Sequence, residues 1–186
     1  MASYFITHPE VVVDPTVPIE SWGLSPAGID RARLIHRSCW DDGVVQIVSS
    51  TEQKAIEAAD ILAHAVGRPV LRKAALGENN RSSTGYLPLE EFESVADEFF
   101  AHPHVSVRGW ETAEDAQRRI VSAVRSLTTA PLRQTAVVAH GAVGALLYSD
   151  LTKQPISRKF DQPGQGSWFE FDPASWTALH GWRRIT

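Results

Sequence analysis

The sequence holds one cysteine, Cys39, in 186 residues, so an intrachain disulfide framework is excluded and a reducing compartment is the expected setting. It lacks any apolar run near the ~20 residues that a membrane-spanning helix needs. It also lacks an excess of charge. Eighteen basic and 22 acidic side chains give a formal net charge of −4, which offers neither nucleic acid nor an anionic membrane an electrostatic reason to bind. Residues 1–6 are apolar without a basic leader, unlike a secretory signal, and a soluble cytoplasmic protein is expected. No Gly-rich phosphate loop follows an early strand, which argues against a nucleotide module of flavodoxin type. No Gly-x-Ser-x-Gly elbow is present, so Ser49-Ser50 is not read as a nucleophile. His102-Pro103-His104 has neither a nearby cysteine nor a clear third ligand, and no metal centre or cofactor is predicted.

What is present is a core-forming chain. Hydrophobic residues make up 43% of it, enough to fold as one domain over residues 1–186 without staples. Short β-rich runs fall at residues 4–6, 44–48, 69–72, 135–139 and 168–171, with a further candidate at 177–182. Helical patterns lie between them. Ser25-Pro26 reads as an N-cap and first helical residue leading to Ile29, Ala32 and Ile35. Ala55, Ala58, Ala59, Leu62 and Val66 line one face of a helix that stops at Gly67. Residues 111–127 and 141–147 form two more, and the acidic run Glu90, Glu91, Glu93, Asp97, Glu98 reads as a solvated helix face. Strand–helix alternation predicts an α/β fold, a three-layer α/β/α sandwich with a mainly parallel central sheet. Residues 76–88 and 154–167 are polar and read as loops.

Ligands of open α/β sheets bind outside the carboxyl ends of the strands. The residues that follow the expected strands are Thr7-His8-Pro9-Glu10, then Ser49-Ser50-Thr51 with Lys54, then Gly77-Glu78-Asn79-Asn80-Arg81, then His140-Gly141-Ala142. Two imidazoles, a lysine, a carboxylate and an arginine would converge at one sheet edge. Such a set suits phosphoryl transfer through histidine. A neutral imidazole, with an unperturbed pKa of ~6.5, is a competent nucleophile. Cations and helix N-terminal N–H groups after the second and fourth strands would stabilise charge on the phosphoryl oxygens.

Five segments, in order, resemble the histidine phosphatase (phosphoglycerate-mutase-like) superfamily. Ile6-Thr7-His8-Pro9-Glu10 stands where the family has a strand ending in Arg-His-Gly. Trp22-Gly23-Leu24-Ser25-Pro26-Ala27-Gly28 resembles its "L-T-x-x-G" approach to the first helix. Ser49-Ser50-Thr51-Glu52-Gln53-Lys54-Ala55 resembles "S-S-P-L-x-R-A", Leu76-Gly77-Glu78 resembles the acid-bearing loop, and Val137-Val138-Ala139-His140-Gly141 resembles the second histidine motif. The resemblance implies a phosphomonoester phosphatase with His8 as nucleophile, Glu78 as proton donor and His140 stabilising the phosphoryl group. Lys54, Thr7, Gly141 and Arg81 would line the phosphate site, with a small phosphorylated substrate or phosphoprotein as partner and a homodimer compatible with the pattern.

The departures define the alternative. Thr7 replaces the family's first arginine, Lys54 its second, and Pro9 its glycine, while Asp14 stands near a phosphate-contacting asparagine. Lysine keeps the charge but not the planar fork. Arg81, or Arg72, would have to restore the lost cation. A catalytically weakened member that binds a phosphorylated ligand or a protein partner is therefore the competing expectation.

Overall fold

A computed structural model of the chain describes residues 2–40, 43–129 and 131–186. Its frame is a sheet built on four parallel strands, β1 (Ser3–Thr7), β2 (Gln46–Ser49), β3 (Val70–Arg72) and β4 (Thr135–Ala139). They lie in the order β3-β2-β4-β1 and all pair in parallel. β5 (Ser167–Asp172) then joins β1 antiparallel, and β6 (Thr177–Ala178) and β7 (Arg183–Arg184) pair antiparallel with β5. The sheet is thus mixed, parallel within and antiparallel at one edge. The β5-β6 pair is antiparallel because only a few residues separate the two strands, too few for the dozen-residue crossover that a parallel partner needs.

Alternation along the strands divides the interior in two. Phe5, Val137, Ala139, Phe169 and Phe171 face one core, shared with the helices α4 (Leu89–Ala101), α5 (Ala113–Thr128) and α6 (Gly141–Leu151). Tyr4, Ile6, Ile47, Ala136 and Val138 face the other, shared with α1 (Pro26–Ala32), α2 (Ile35–Ser38) and α3 (Gln53–Val66). Ser25 caps α1 by accepting from Gly28 N–H, and Thr112 caps α5 by accepting from Asp115 N–H. α3 ends at Gly67, whose left-handed φ of 64° suits a residue without Cβ.

Several boundaries differ from expectation. Val44 and Val45 precede β2 instead of opening it. The helix expected through Ile29 and Ile35 breaks in two where Leu34 N–H donates to Arg31 O (3.0 Å), an i→i+3 bond that tightens the turn. The late strand expected over 177–182 shrinks to two residues, and β7 was not anticipated. No helix among the described residues is long and apolar enough to cross a membrane.

Candidate active site

The parallel strands β1, β2 and β4 end side by side, and the pairing runs one residue past each end. His8 N–H donates to Ala139 O and Ser50 N–H to Val138 O, both at 3.1 Å. These bonds hold the residues after the strands at fixed spacing. They bring the two histidines together, with ring centroids 5.3 Å apart at an interplanar angle of 64°. His8 lines a cavity of about 340 Å³ together with Lys54, Glu78, Arg81, Gly141 and Gln162. His140 is fully buried against His8 and is not itself a wall of that cavity.

Each imidazole is oriented by its neighbours. His8 Nδ1 lies 2.8 Å from the carbonyl oxygen of Pro9. A carbonyl only accepts, so Nδ1 carries the proton and Nε2 keeps its lone pair. Proline at this position costs a backbone donor but keeps the carbonyl that sets the tautomer. Burial lowers the His8 pKa to about 4, aided by Lys54 and Arg81 and opposed by the Pro9 carbonyl and Glu52. The ring is therefore neutral through the physiological range. His140 Nε2 lies 2.7 Å from Ser50 Oγ and 3.4 Å from Glu52 Oε1. Burial holds its pKa well below the usual value. Its Nδ1 is buried and has no hydrogen-bond partner among the described residues. An orphaned polar atom of this kind costs about 1–3 kcal/mol.

Glu78 stands at the start of α6. Its carboxylate accepts from Ala142 N–H (3.1 Å), Val143 N–H (3.0 Å) and Asn79 N–H (3.1 Å). The amides at this helix N-terminus, expected to receive phosphate, are thus largely taken by Glu78. Gly141 N–H, at the cavity wall, has no acceptor among the described residues. Burial raises the Glu78 pKa, reinforced by the like charge of Glu52 and opposed by Arg81 and the amides.

The loop that carries Glu78 is clamped from outside. Arg119 donates to the carbonyls of Ala75 (2.9 Å), Gly77 (2.9 Å) and Glu78 (3.1 Å), and it forms a two-pronged pair with Glu111. Glu111 in turn accepts from Asn80 N–H (3.0 Å). Arg119→Ala should cost about 1–3 kcal/mol of stability through these lost bonds. Urea unfolding of the variant against the wild type measures the loss.

The cations are not arranged as the sequence suggested. Lys54 is buried, and its ammonium is bonded to Glu52 Oε2 (2.6 Å) and to the carbonyl of Ile19 (2.8 Å). Its charge is neutralised before any ligand arrives. Glu52 is the residue that sequence reasoning missed. Its second oxygen accepts from Glu78 N–H (2.7 Å), so one carboxylate ties together Lys54, the acid loop and the neighbourhood of His140. The available signal was an acidic side chain two residues before Lys54, at the mouth of a helix that faces the strand ends.

Arg81 supplies the cation instead. Its guanidinium lies 4.9 Å over the Phe92 ring and pairs with no carboxylate among the described residues. Arg72 pairs with Asp60 (3.0 Å), and both side chains are half exposed. Asp14 does not line the cavity and bonds Thr16. Thr7 is fully buried and is not a cavity wall either. Its hydroxyl engages Gln162 Oε1 (2.5 Å) and the backbone of Ser167. Asn79, also unanticipated, is buried at the cavity edge with its side-chain nitrogen unpartnered.

The family model of the histidine phosphatase superfamily (branch 1) matches residues 19–182, which begins beyond His8. No curated protein matches the chain. Among solved structures, YhfR of Bacillus stearothermophilus superposes with a TM-score of 0.80 at 21% identity, over 95% of this chain and 93% of that one. A mycobacterial glucosyl-3-phosphoglycerate phosphatase gives 0.76 at 20%, over 98% and 95%. The alpha-ribazole phosphatase of Shigella flexneri gives 0.74 at 18%, over 100% and 96%.

Proposed function

This chain belongs to the histidine phosphatase superfamily, and from that membership we propose that it is a phosphomonoester phosphatase acting through a phosphohistidine on His8. The observation that carries the reading is the pair of imidazoles 5.3 Å apart, with Pro9 fixing the tautomer that leaves His8 Nε2 unprotonated toward the cavity side. In the first step Nε2 attacks the substrate phosphorus and the bond from phosphorus to the ester oxygen breaks. The Glu78 carboxylic acid gives its proton to the departing alkoxide, and burial, which raises its pKa, favours the protonated form. In the second step water attacks the phosphohistidine, the Glu78 carboxylate takes a proton from that water, and inorganic phosphate leaves with His8 restored.

The developing charge falls on donors already in place. His140 meets Ser50 Oγ through Nε2 and leaves Nδ1 unpartnered; in the tautomer that carries the proton on Nδ1, that atom is an N–H donor for a phosphoryl oxygen. Gly141 N–H and the Arg81 guanidinium complete the set. The substrate is a small phosphorylated molecule or a phosphoprotein. The test is direct trapping: brief incubation with 4-nitrophenyl phosphate, an acidic-sensitive-bond-preserving alkaline quench, and peptide mapping. Phosphate on the His8 peptide is expected, and its absence under turnover conditions sinks the proposal.

A second reading has its own support. Thr7 carries no charge and Lys54 is committed to Glu52, which fits a chain that binds a phosphorylated ligand without turning it over. Saturable binding of inorganic phosphate with no hydrolysis across a broad panel of phosphate esters would favour it.

A further inference from the structure

We propose that Gln162 is a phosphoryl-binding residue of this site and that Thr7 is the residue that positions it. The inference rests on the phosphoryl site proposed above and assigns it a donor from the loop between α6 and β5. The Thr7 hydroxyl accepts from Ser167 N–H at 2.9 Å. Its single proton then has two acceptors within reach, Gln162 Oε1 at 2.5 Å and Ser167 O at 3.2 Å. The shorter bond fixes the oxygen end of the Gln162 amide on Thr7. The nitrogen end must then point away, and it lies against Gly141, where an added Cβ would come within 2.5 Å of Nε2.

The amide therefore spans from the residue before His8 to the residue after His140. Gln162 lines the same cavity as His8, and Nε2 has no acceptor among the described residues. A glutamine that served only to pin the loop would use both ends. This one uses its acceptor end and leaves two N–H donors unfilled, beside Gly141 in the cavity that His8 lines. Hydrogen bonds from such donors to an anion are stronger than those between neutral groups. An orientation set in advance by Thr7 spares the cost of ordering the side chain when the ligand arrives. At the position where the resemblance leads one to expect an arginine, the chain thus has a threonine that holds a neutral donor. The donor function is kept and the charge is not.

The experiment is calorimetric titration of the full chain with inorganic phosphate, alongside product inhibition of 4-nitrophenyl phosphate hydrolysis. Gln162→Ala should weaken phosphate binding by roughly tenfold or more. Gln162→Glu should weaken it further, since a carboxylate repels the anion. Thr7→Val, which removes a hydroxyl that touches no ligand, should reproduce most of the Gln162→Ala loss, and Thr7→Ser should restore wild-type binding. The Thr7→Val/Gln162→Ala double variant should bind no more weakly than Gln162→Ala alone, because the two act as one unit. Phosphate affinity unchanged in Gln162→Ala and Gln162→Glu overturns the inference, as do additive losses in the double variant or a wild-type chain that binds no phosphate. The titration needs no turnover. Failure of the phosphohistidine reading would appear separately, as undiminished hydrolysis by His8→Ala.

Discussion

His8→Ala should lower kcat/KM for 4-nitrophenyl phosphate by about a thousandfold or more, the scale on which removal of a covalent nucleophile acts when the rest of a site is intact. The fold should survive, because His8 makes one side-chain hydrogen bond, to the adjacent Pro9 carbonyl. The pH profile of the wild type carries a second signature. Because the His8 pKa is held at about 4, the nucleophile stays neutral well below the ordinary imidazole range. The acid limb of kcat/KM should lie near that value and not near ~6.5. The alkaline limb should report loss of the Glu78 proton, at a pH raised by burial.

The same histidine leaves a mark on stability. Between about 4 and ~6.5 the unfolded chain binds a proton at this position and the folded chain does not. Unfolding free energy therefore falls as pH drops through that window, by about 3 kcal/mol for a shift of this size, and is fully present above it. His140, also depressed by burial, acts in the same direction. Urea midpoints measured from pH 7 to pH 4 should decline in the wild type and decline less in His8→Ala. Full retention of turnover by His8→Ala would remove the nucleophile assignment. An unchanged pH dependence of stability would remove the claim that the ring is buried neutral.

The features of the site that could be read in advance are those that depend on chain order. A β-branched run followed by a small residue and a histidine, as at 135–141, specifies a buried strand, a turn and a helix. Two such histidine-bearing strand ends in one parallel sheet must meet if their strands pair, and β1 and β4 do pair. Ser25-Pro26 and Gly67 marked helix ends because capping is local chemistry. What could not be read was the partnering of side chains across loops. Lys54 looked like a free cation because its neutralisation depends on the rotamer of Glu52. Arg81 could not be told from Arg72 as the compensating cation, because only the packed loop places it beside the cavity and over Phe92. Gln162 lay in a polar stretch with no periodicity, and nothing in the chain order ties it to Thr7, 155 residues away. The antiparallel edge escaped for a related reason: the pattern of β5 shows that it is a strand, not which way its partner runs.

Glu52→Leu should cost about 3–5 kcal/mol of stability, the cost of leaving one member of a buried ion pair alone. Glu52 is only 8% exposed and Lys54 only 3%. Burial alone would push the Glu52 carboxyl up, but the His140 ring, the Lys54 ammonium and the Glu78 amide outweigh it and hold the pKa at about 2. Leucine at position 52 would strand that ammonium on the Ile19 carbonyl and leave Glu78 N–H without its acceptor. The double change Glu52→Leu/Lys54→Met should recover much of the loss, because an apolar pair of similar size avoids the desolvation of both charges. The wild-type carboxylate should also give an acid signature distinct from that of the histidines. Its contribution is present above about 4.5 and lost as pH falls toward about 2, so Glu52→Leu should remove that part of the acid sensitivity. Urea unfolding of the three proteins across pH 3 to 7 decides the matter. A single variant within about 1 kcal/mol of wild type, on the scale of an exposed pair, would mean that Lys54 is not neutralised by Glu52. It would then be free to serve the phosphoryl group. If the loss is several kcal/mol and the double variant recovers it, Lys54 is committed to the fold, and phosphoryl charge must be met by Arg81, Gly141 N–H, His140 and the amide of Gln162.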